Sequence, residues 1–92
     1  FYLYESKNIS VARWVISKGT VMPNHIHEKE KEWLILYEGS FDIYFKDSCE
    51  RINEGESVFI PPDEIHSINF IENSWLIAIT YPSSDFQPHM DK

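Results

Sequence analysis

The chain has 92 residues, 42% of them hydrophobic and 15% aromatic, which corresponds to one small folded domain rather than a disordered segment. Fifteen acidic side chains against eight lysines and arginines give a net charge of -7, which argues against nucleic-acid partners and anionic membrane surfaces. The single cysteine excludes an intramolecular disulfide. Neither a membrane-spanning run nor a signal peptide is visible, so we expect a cytoplasmic domain.

Most of the chain has the composition of β-strands, with β-branched and aromatic residues grouped between turn signals. No window of a dozen residues has a helical period, so the sequence predicts an all-β sandwich or barrel. We interpret residues 1–92 as one domain with an irregular tail at 82–92. The predicted strands are, in chain order, Phe1 to Tyr4 as a candidate first strand, then Val11 to Ile16, Trp33 to Tyr37, Phe41 to Phe45, Ser57 to Ile60, Ile65 to Phe70 and Trp75 to Tyr81.

The strand at Trp33 to Tyr37 is apolar on both faces. Leu34 and Leu36 share one face with Glu32, while the other face carries Trp33, Ile35 and Tyr37. A barrel interior can cover the first face. The second face needs another cover, either the terminal strands or a second copy of the chain, and the sequence therefore predicts a homodimer as one solution.

Three histidines and one carboxylate form a candidate metal site. His25 and His27 are two residues apart and point to the same side if they lie on a strand. Glu32 begins the doubly apolar strand, and His66 shares a strand face with apolar residues, which indicates that both point into an interior. Imidazole and carboxylate donors without thiolates suit one divalent ion of iron, manganese, nickel, copper or zinc.

Other polar side chains compete less well for this role. Glu28 and Glu30 are alternatives to Glu32 as the carboxylate ligand, and the start of the apolar strand favours Glu32. His89 lies in the tail and is not expected to bind the metal, and Cys49 lies in or next to a turn as an ordinary thiol. Arg13 is expected to point outward, and no second acid or base is evident, so the catalytic residues remain unknown.

The spacing of these residues resembles the two motifs of the cupin superfamily. The first motif, at 19–39, has glycines at both ends and the His25, His27 and Glu32 pattern between them. The second, at 55–69, contains Gly55, Pro61 and His66, and together they cover more than half of the chain. The resemblance implies a cupin-type jelly-roll β-barrel, or double-stranded β-helix, in which one metal near the mouth is held by His25, His27, Glu32 and His66.

Two positions depart from the family pattern. Asp63 occupies the place of a glycine that serves a turn with positive φ, and we expect Asp63 to adopt that conformation with some strain. Phe70 occupies the place of an asparagine, while Asn69 comes one residue early and faces the opposite side of the strand. The pocket is therefore expected to be drier and narrower than the family pattern implies.

These observations leave three functional hypotheses. The favoured one is a metal-dependent enzyme, an oxygenase or isomerase, acting on a small polar metabolite. The alternative is a non-catalytic sensor or regulatory module that binds a small molecule. In the third, the domain binds a metal, or serves assembly, without an organic ligand. The fold class does not decide among them, because one barrel hosts unrelated chemistries.

Overall fold

The structure is a computed structural model in which residues 2–26 and 29–82 are described. This part of the chain contains no helix able to cross a membrane, and its regular structure consists of β-strands. The strands are β1 (Tyr2–Glu5), β2 (Ser10–Ile16), β3 (Val21–His25), β4 (Lys31–Glu38), β5 (Ser40–Phe45), β6 (Cys49–Asn53), β7 (Ser57–Ile60), β8 (His66–Phe70) and β9 (Ser74–Tyr81). The all-β prediction is confirmed, and β3 and β6 are additional to the predicted strands.

Two antiparallel sheets face each other. The large sheet has the order β1-β2-β9-β4-β7, and the small sheet has the order β3-β8-β5-β6. Four short connections, at residues 17–20, 39, 54–56 and 71–73, join consecutive strands of opposite sheets, and the chain also changes sheet between β3 and β4 and between β7 and β8. Since the strand orders match, β2 lies opposite β3, β9 opposite β8, β4 opposite β5 and β7 opposite β6. This arrangement is the predicted jelly roll.

These four short connections gather at one end of the barrel, which we call the turn end, whereas the chain changes sheet from β3 to β4 and from β7 to β8 at the opposite end. The opposite end, which we call the mouth, is where β2, β4 and β8 begin and where β3, β7 and β9 finish. Strand register aligns the residues of the mouth into two rows. In the large sheet Ser10 pairs with Thr80, which pairs with Glu32, which pairs with Ile60. In the small sheet Phe45 pairs with His66, which pairs with His25.

The core lies between the sheets below the mouth and follows the period of two. On β4, Leu34 and Leu36 are fully buried, whereas Trp33, Ile35 and Tyr37, which alternate with them along the strand, lie on the outer face. The core cluster consists of Leu34, Leu36, Phe41, Ile43, Ile52, Val58, Ile60, Ile68, Phe70, Leu76 and Ala78. Each inward side chain alternates with an outward one, as a half-buried strand requires.

The outer face of the large sheet is apolar over several strands. Trp33 is 38% exposed, Ile35 40% and Tyr37 63%. Trp33 lies against Phe59 of β7, with ring centroids 5.2 Å apart, and Tyr37 stacks on Trp75 of β9 at 4.5 Å. Strand β1 extends the sheet at its edge beside β2. It therefore does not provide the cover that the sequence required for this face.

Candidate metal site

Two of the predicted ligands meet at the mouth of the barrel. His25 is the last residue of β3 and His66 is the first of β8, and the two are register partners in the small sheet. Their ring centroids are 4.1 Å apart, with the ring planes inclined at 61°. His66 is 1% exposed and shares its strand face with Ile68 and Phe70, as predicted. The cross-strand pairing thus brings together two imidazoles that are separated by 40 residues in sequence.

Both imidazoles are oriented by backbone carbonyl groups. Nδ1 of His25 lies 3.0 Å from the carbonyl oxygen of Pro23, and Nδ1 of His66 lies 2.8 Å from that of Glu64. Because a carbonyl oxygen only accepts hydrogen bonds, each Nδ1 carries the proton and donates it. The lone pair of each neutral ring is therefore on Nε2, and this is the arrangement of histidines that bind metals through Nε2.

Glu32 lies at the same end of the barrel but belongs to the other sheet. Glu32 is 6% exposed and lies on the inward face of β4, the same face as Leu34 and Leu36. Glu32 therefore points into the same interior as His66, from the opposite sheet. A buried carboxylate is stabilised by a cation or by hydrogen bonds, and the chemistry of this position fits a metal ligand.

The remaining predicted ligand, His27, lies outside the described residues, as does the alternative Glu28. Among residues 2–26 and 29–82, no three His, Cys, Asp or Glu side chains form a group able to hold a metal. The other alternative carboxylate, Glu30, is partly buried in the segment that precedes β4. The four-ligand set of His25, His27, Glu32 and His66 therefore stays a prediction, of which the structure places one pair in contact.

The two departures from the family pattern have the expected geometry. Asp63 has φ of 64°, in the left-handed region, and follows Pro62 in the turn between β7 and β8. Phe70 is fully buried in the core, whereas Asn69 is on the opposite face of β8 and partly exposed. The inward face of this strand is therefore apolar beyond His66.

Two buried residues that carry hydroxyl groups, both at the mouth, were not identified from the sequence. Ser10 is 3% exposed and Thr80 is 7% exposed, and both point inward from the large sheet. For Thr80 the sequence did contain an indication of burial, because Thr80 lies two residues after Ala78 and four after Leu76, on the same inward face of the strand. Arg13, by contrast, is exposed on the outer face, where its guanidinium lies 5.6 Å from the ring centroid of Trp75. The outward orientation expected of Arg13 is confirmed.

A second polar cluster lies outside the barrel, on the outer face of the small sheet. Arg51 of β6 donates to the carboxylate of Asp42 on β5 through Nε and through a second guanidinium nitrogen. The negative charge of Asp42 is the main cause that raises the pKa of the neighbouring Tyr44, with smaller contributions from burial and from Cys49. Because these side chains face away from the interior, they are separate from the histidine pair.

Comparisons with known proteins agree with this architecture. A family model described as a cupin domain matches residues 12–77. KdgF from Halomonas sp. superposes with a TM-score of 0.86 at 19% identity, over 92% of this chain and 80% of that one. An RmlC-like cupin from Shewanella frigidimarina gives 0.84 at 20% identity, over 91% and 75% of the two chains. The cupin domain of Schizosaccharomyces pombe Cnp3 gives 0.84 at 13%, over 91% and 64%. The comparison with curated proteins gives no match.

Proposed function

The chain belongs to the cupin family, and we propose that it is a metal-binding cupin that acts on a small polar metabolite. The observation that carries the proposal is the pair formed by His25 and His66, whose rings are 4.1 Å apart. Both rings donate Nδ1–H to backbone carbonyl groups, which fixes the tautomer that a metal ion requires. His27 and Glu32 complete the proposed ligand set.

The two described histidines are suited to coordinate a divalent ion through Nε2. His66 is buried among apolar side chains, where a neutral imidazole with its lone pair on Nε2 is suited to coordination. A divalent ion held by these residues would supply Lewis-acid chemistry at an oxygen atom of the substrate, or redox chemistry if the ion is iron. The residues around such an ion would orient the bound metabolite and exclude water. Below the ion, Ile68 and Phe70 make the barrel interior apolar.

Metal analysis tests this proposal directly. We expect protein purified without a histidine tag to contain about one divalent ion per chain, with identity given by elemental analysis. Replacement of one ligand, as in His66→Ala, should weaken metal retention by more than about tenfold. The matched control is His89→Ala, which removes a histidine from the predicted tail. Equal metal loss in the two variants would contradict the ligand assignment.

Within this proposal we favour metal-dependent oxygenase or isomerase chemistry, and the alternative is a sensor or regulatory module. The mouth supports catalysis because the proposed donors come from both sheets, with His25 and His66 on the small sheet and Glu32 on the large one. Oxygen uptake and product formation, measured over a panel of small hydroxylated metabolites, distinguish the enzyme from the sensor. Turnover that depends on the metal supports the enzyme, whereas saturable binding without consumption supports the sensor.

We also propose that the outer face of the large sheet binds a second copy of this chain. This face carries Trp33, Ile35 and Tyr37, together with Phe59 and Trp75. Arg13 also lies on this face, with its guanidinium over the ring of Trp75, and enrichment in aromatic side chains and arginine is a feature of protein interfaces. The face repeats on every copy, so a two-fold dimer pairs it with itself and covers both apolar surfaces at once.

A further inference from the structure

The outer face of the large sheet has side chains of opposite charge at its two ends. Strand register divides β4 and β9 into four outward rows, in which Lys31 pairs with Tyr81, Trp33 with Ile79, Ile35 with Ile77 and Glu38 with Trp75. Register partners lie on the same face of a sheet. The first row is at the mouth and the last is at the turn end, so the apolar middle of the face lies between an exposed lysine and an exposed glutamate.

Lys31 is the charged residue of this face at the mouth end. Its ammonium group lies 5.7 Å from the ring centroid of Tyr81 on the neighbouring β9, so the lysine is placed over the sheet. Glu30, Asp63 and Glu64 are also at the mouth, but they belong to the connections that precede β4 and β8 and not to the sheet face. A surface that packs on this end of the face therefore meets a positive charge.

Glu38 lies between two open grooves at the turn end. The bulge in β4 just before Glu38 places it beside Trp75 on the outer face. One groove, of about 300 Å³, is lined by Val15, Trp75 and Glu38, and the other, of about 480 Å³, is lined by Tyr37, Glu38 and Glu54. An ammonium group is attracted both by carboxylates and by the faces of aromatic rings. This end of the face therefore fits a lysine side chain.

Two-fold symmetry allows this face to pack on its own copy in two ways. If the axis runs across the strands, between the rows of Trp33 and Ile35, the strands of the two copies are antiparallel and each mouth end lies over the partner's turn end. Lys31 then faces the partner's Glu38, and this contact occurs twice, about 23 Å apart along β4. If the axis runs along the strands, each end meets the same end of the partner, and like charges come together.

We propose that the two copies pack with antiparallel strands, and that Lys31 of each copy forms an ion pair with Glu38 of the other. The proposal rests on the dimer proposed above, and it adds the orientation and the contact that selects it. Arg13 pairs with Ile77 in the middle of the face and lies over Trp75 of its own chain, so it takes no part in the selection. Charge complementarity of this kind determines orientation more than affinity. The mouths of the two barrels then open at opposite ends of the dimer.

Mixing two charge-reversed variants of the full chain tests the inference. Lys31→Glu alone brings two carboxylates together at each contact, and Glu38→Lys alone brings two ammonium groups together, so each should dimerise about tenfold more weakly than the wild type. A mixture of the two variants restores opposite charges at both contacts and should form heterodimers with wild-type affinity. Sedimentation velocity with a fluorescent label on one variant measures this. The matched control is Arg13→Glu, which reverses a charge on the same face and should not restore wild-type affinity when mixed with Glu38→Lys.

The outcomes distinguish the orientation from the dimer itself. A dimeric wild-type chain whose two variants do not combine, or full recovery in the mixture with Arg13→Glu, overturns the antiparallel arrangement and leaves the dimer intact. A monomeric wild-type chain overturns both. If a charge reversal prevents folding, Lys31→Gln and Glu38→Gln replace it in a double-mutant cycle. Their losses of dimer affinity should not add, because either variant removes the same contact, and additive losses would overturn the ion pair.

Discussion

Gly39 is a single residue on which the joining of the two sheets depends. It is the whole connection between β4 and β5 and has φ of 102°. A Cβ at this position would lie 2.5 Å from the carbonyl oxygen of Asn73 and 2.7 Å from Cα of Ser74, and closer still to the Ser74 hydroxyl. The backbone atoms of Asn73 and Ser74 leave no space for a side chain at this position. The positive φ is in addition unfavourable for any residue other than glycine.

We therefore expect Gly39→Ala to lower the free energy of unfolding by about 3 kcal/mol, the sum of a strained φ and a steric overlap. Urea denaturation measures it. Gly55→Ala is the matched control, because Gly55 has φ of 85° but nothing within 4 Å of an added Cβ. That variant should lose about 1 kcal/mol through φ alone. Equal losses in the two variants would show that the contacts with Asn73 and Ser74 do not matter.

The ion pair of Arg51 and Asp42, on the outer face of the small sheet, gives a second prediction for single residues. Asp42 is the main cause that raises the pKa of Tyr44, and Arg51 opposes it. In Asp42→Asn the negative charge is removed and the guanidinium remains, so the pKa of Tyr44 should fall. The pH titration of tyrosinate absorbance measures this shift, and Tyr44→Phe identifies which transition belongs to Tyr44. An unchanged transition in Asp42→Asn would refute the assigned cause.

Several features of single residues could be predicted from the sequence. The left-handed conformation of Asp63 was expected because it stands where the family pattern has glycine, and its φ of 64° confirms this. The inward position of Phe70 followed from strand alternation with His66. The hydroxyl groups of Ser10 and Thr80 were not recognised, because serine and threonine are common on exposed strand faces. Their burial depends on the opposite sheet.

At the level of elements, strand β4 has one buried face and one exposed face. Leu36 is fully buried, and the adjacent Ile35 is 40% exposed on the outer face. We expect Leu36→Ala to lower the free energy of unfolding by about 3 kcal/mol, since it removes buried methyl groups and leaves a cavity. Ile35→Ala, measured by the same denaturation below the concentration of any self-association, should lose about 1 kcal/mol. Similar losses would mean that the two faces are buried to the same extent.

The elements that the sequence missed are the two outermost strands of the small sheet. Strand β3 contains Pro23, which a strand accommodates at a sheet edge, where no partner needs its missing N–H. Strand β6 has one buried residue, Ile52, and is otherwise exposed and polar. Neither has the apolar alternation that identified β5 or the continuous apolar run that identified β9. Edge strands of this kind form because a neighbouring strand is present, and their own composition gives little signal.

At the level of the whole molecule, the proposed dimer predicts the mass in solution. Sedimentation velocity at micromolar concentration should give twice the chain mass. Ile35→Lys places a charge at the centre of the apolar outer face and should weaken dimerisation by about a hundredfold. Its matched control is Tyr44→Lys, at a position 41% exposed on the outer face of the small sheet against 40% for Ile35. A monomeric wild-type chain, or dissociation by both variants, would contradict the proposed interface.

The closure of the barrel could be predicted only in part. Periodicity indicated strands and an all-β class, and the resemblance to cupins supplied the jelly roll. The order of strands in each sheet is set by pairings between distant segments, such as β2 with β9, and no local pattern encodes them. The same holds for the candidate site, in which His25 and His66 could be nominated singly but their contact depends on the pairing of β3 with β8.

The gathering of four of the crossing connections at one end has a consequence for how such a barrel can change over generations. The segments that clamp the sheets together, such as the one-residue link at Gly39, are remote from the rim that holds His25 and His66. The connection at residues 61–65 also joins the two sheets but lies at the rim, so it can lengthen or alter its chemistry while the four connections of the turn end stay unchanged. A new ligand preference is then open to selection while the shell keeps its stability.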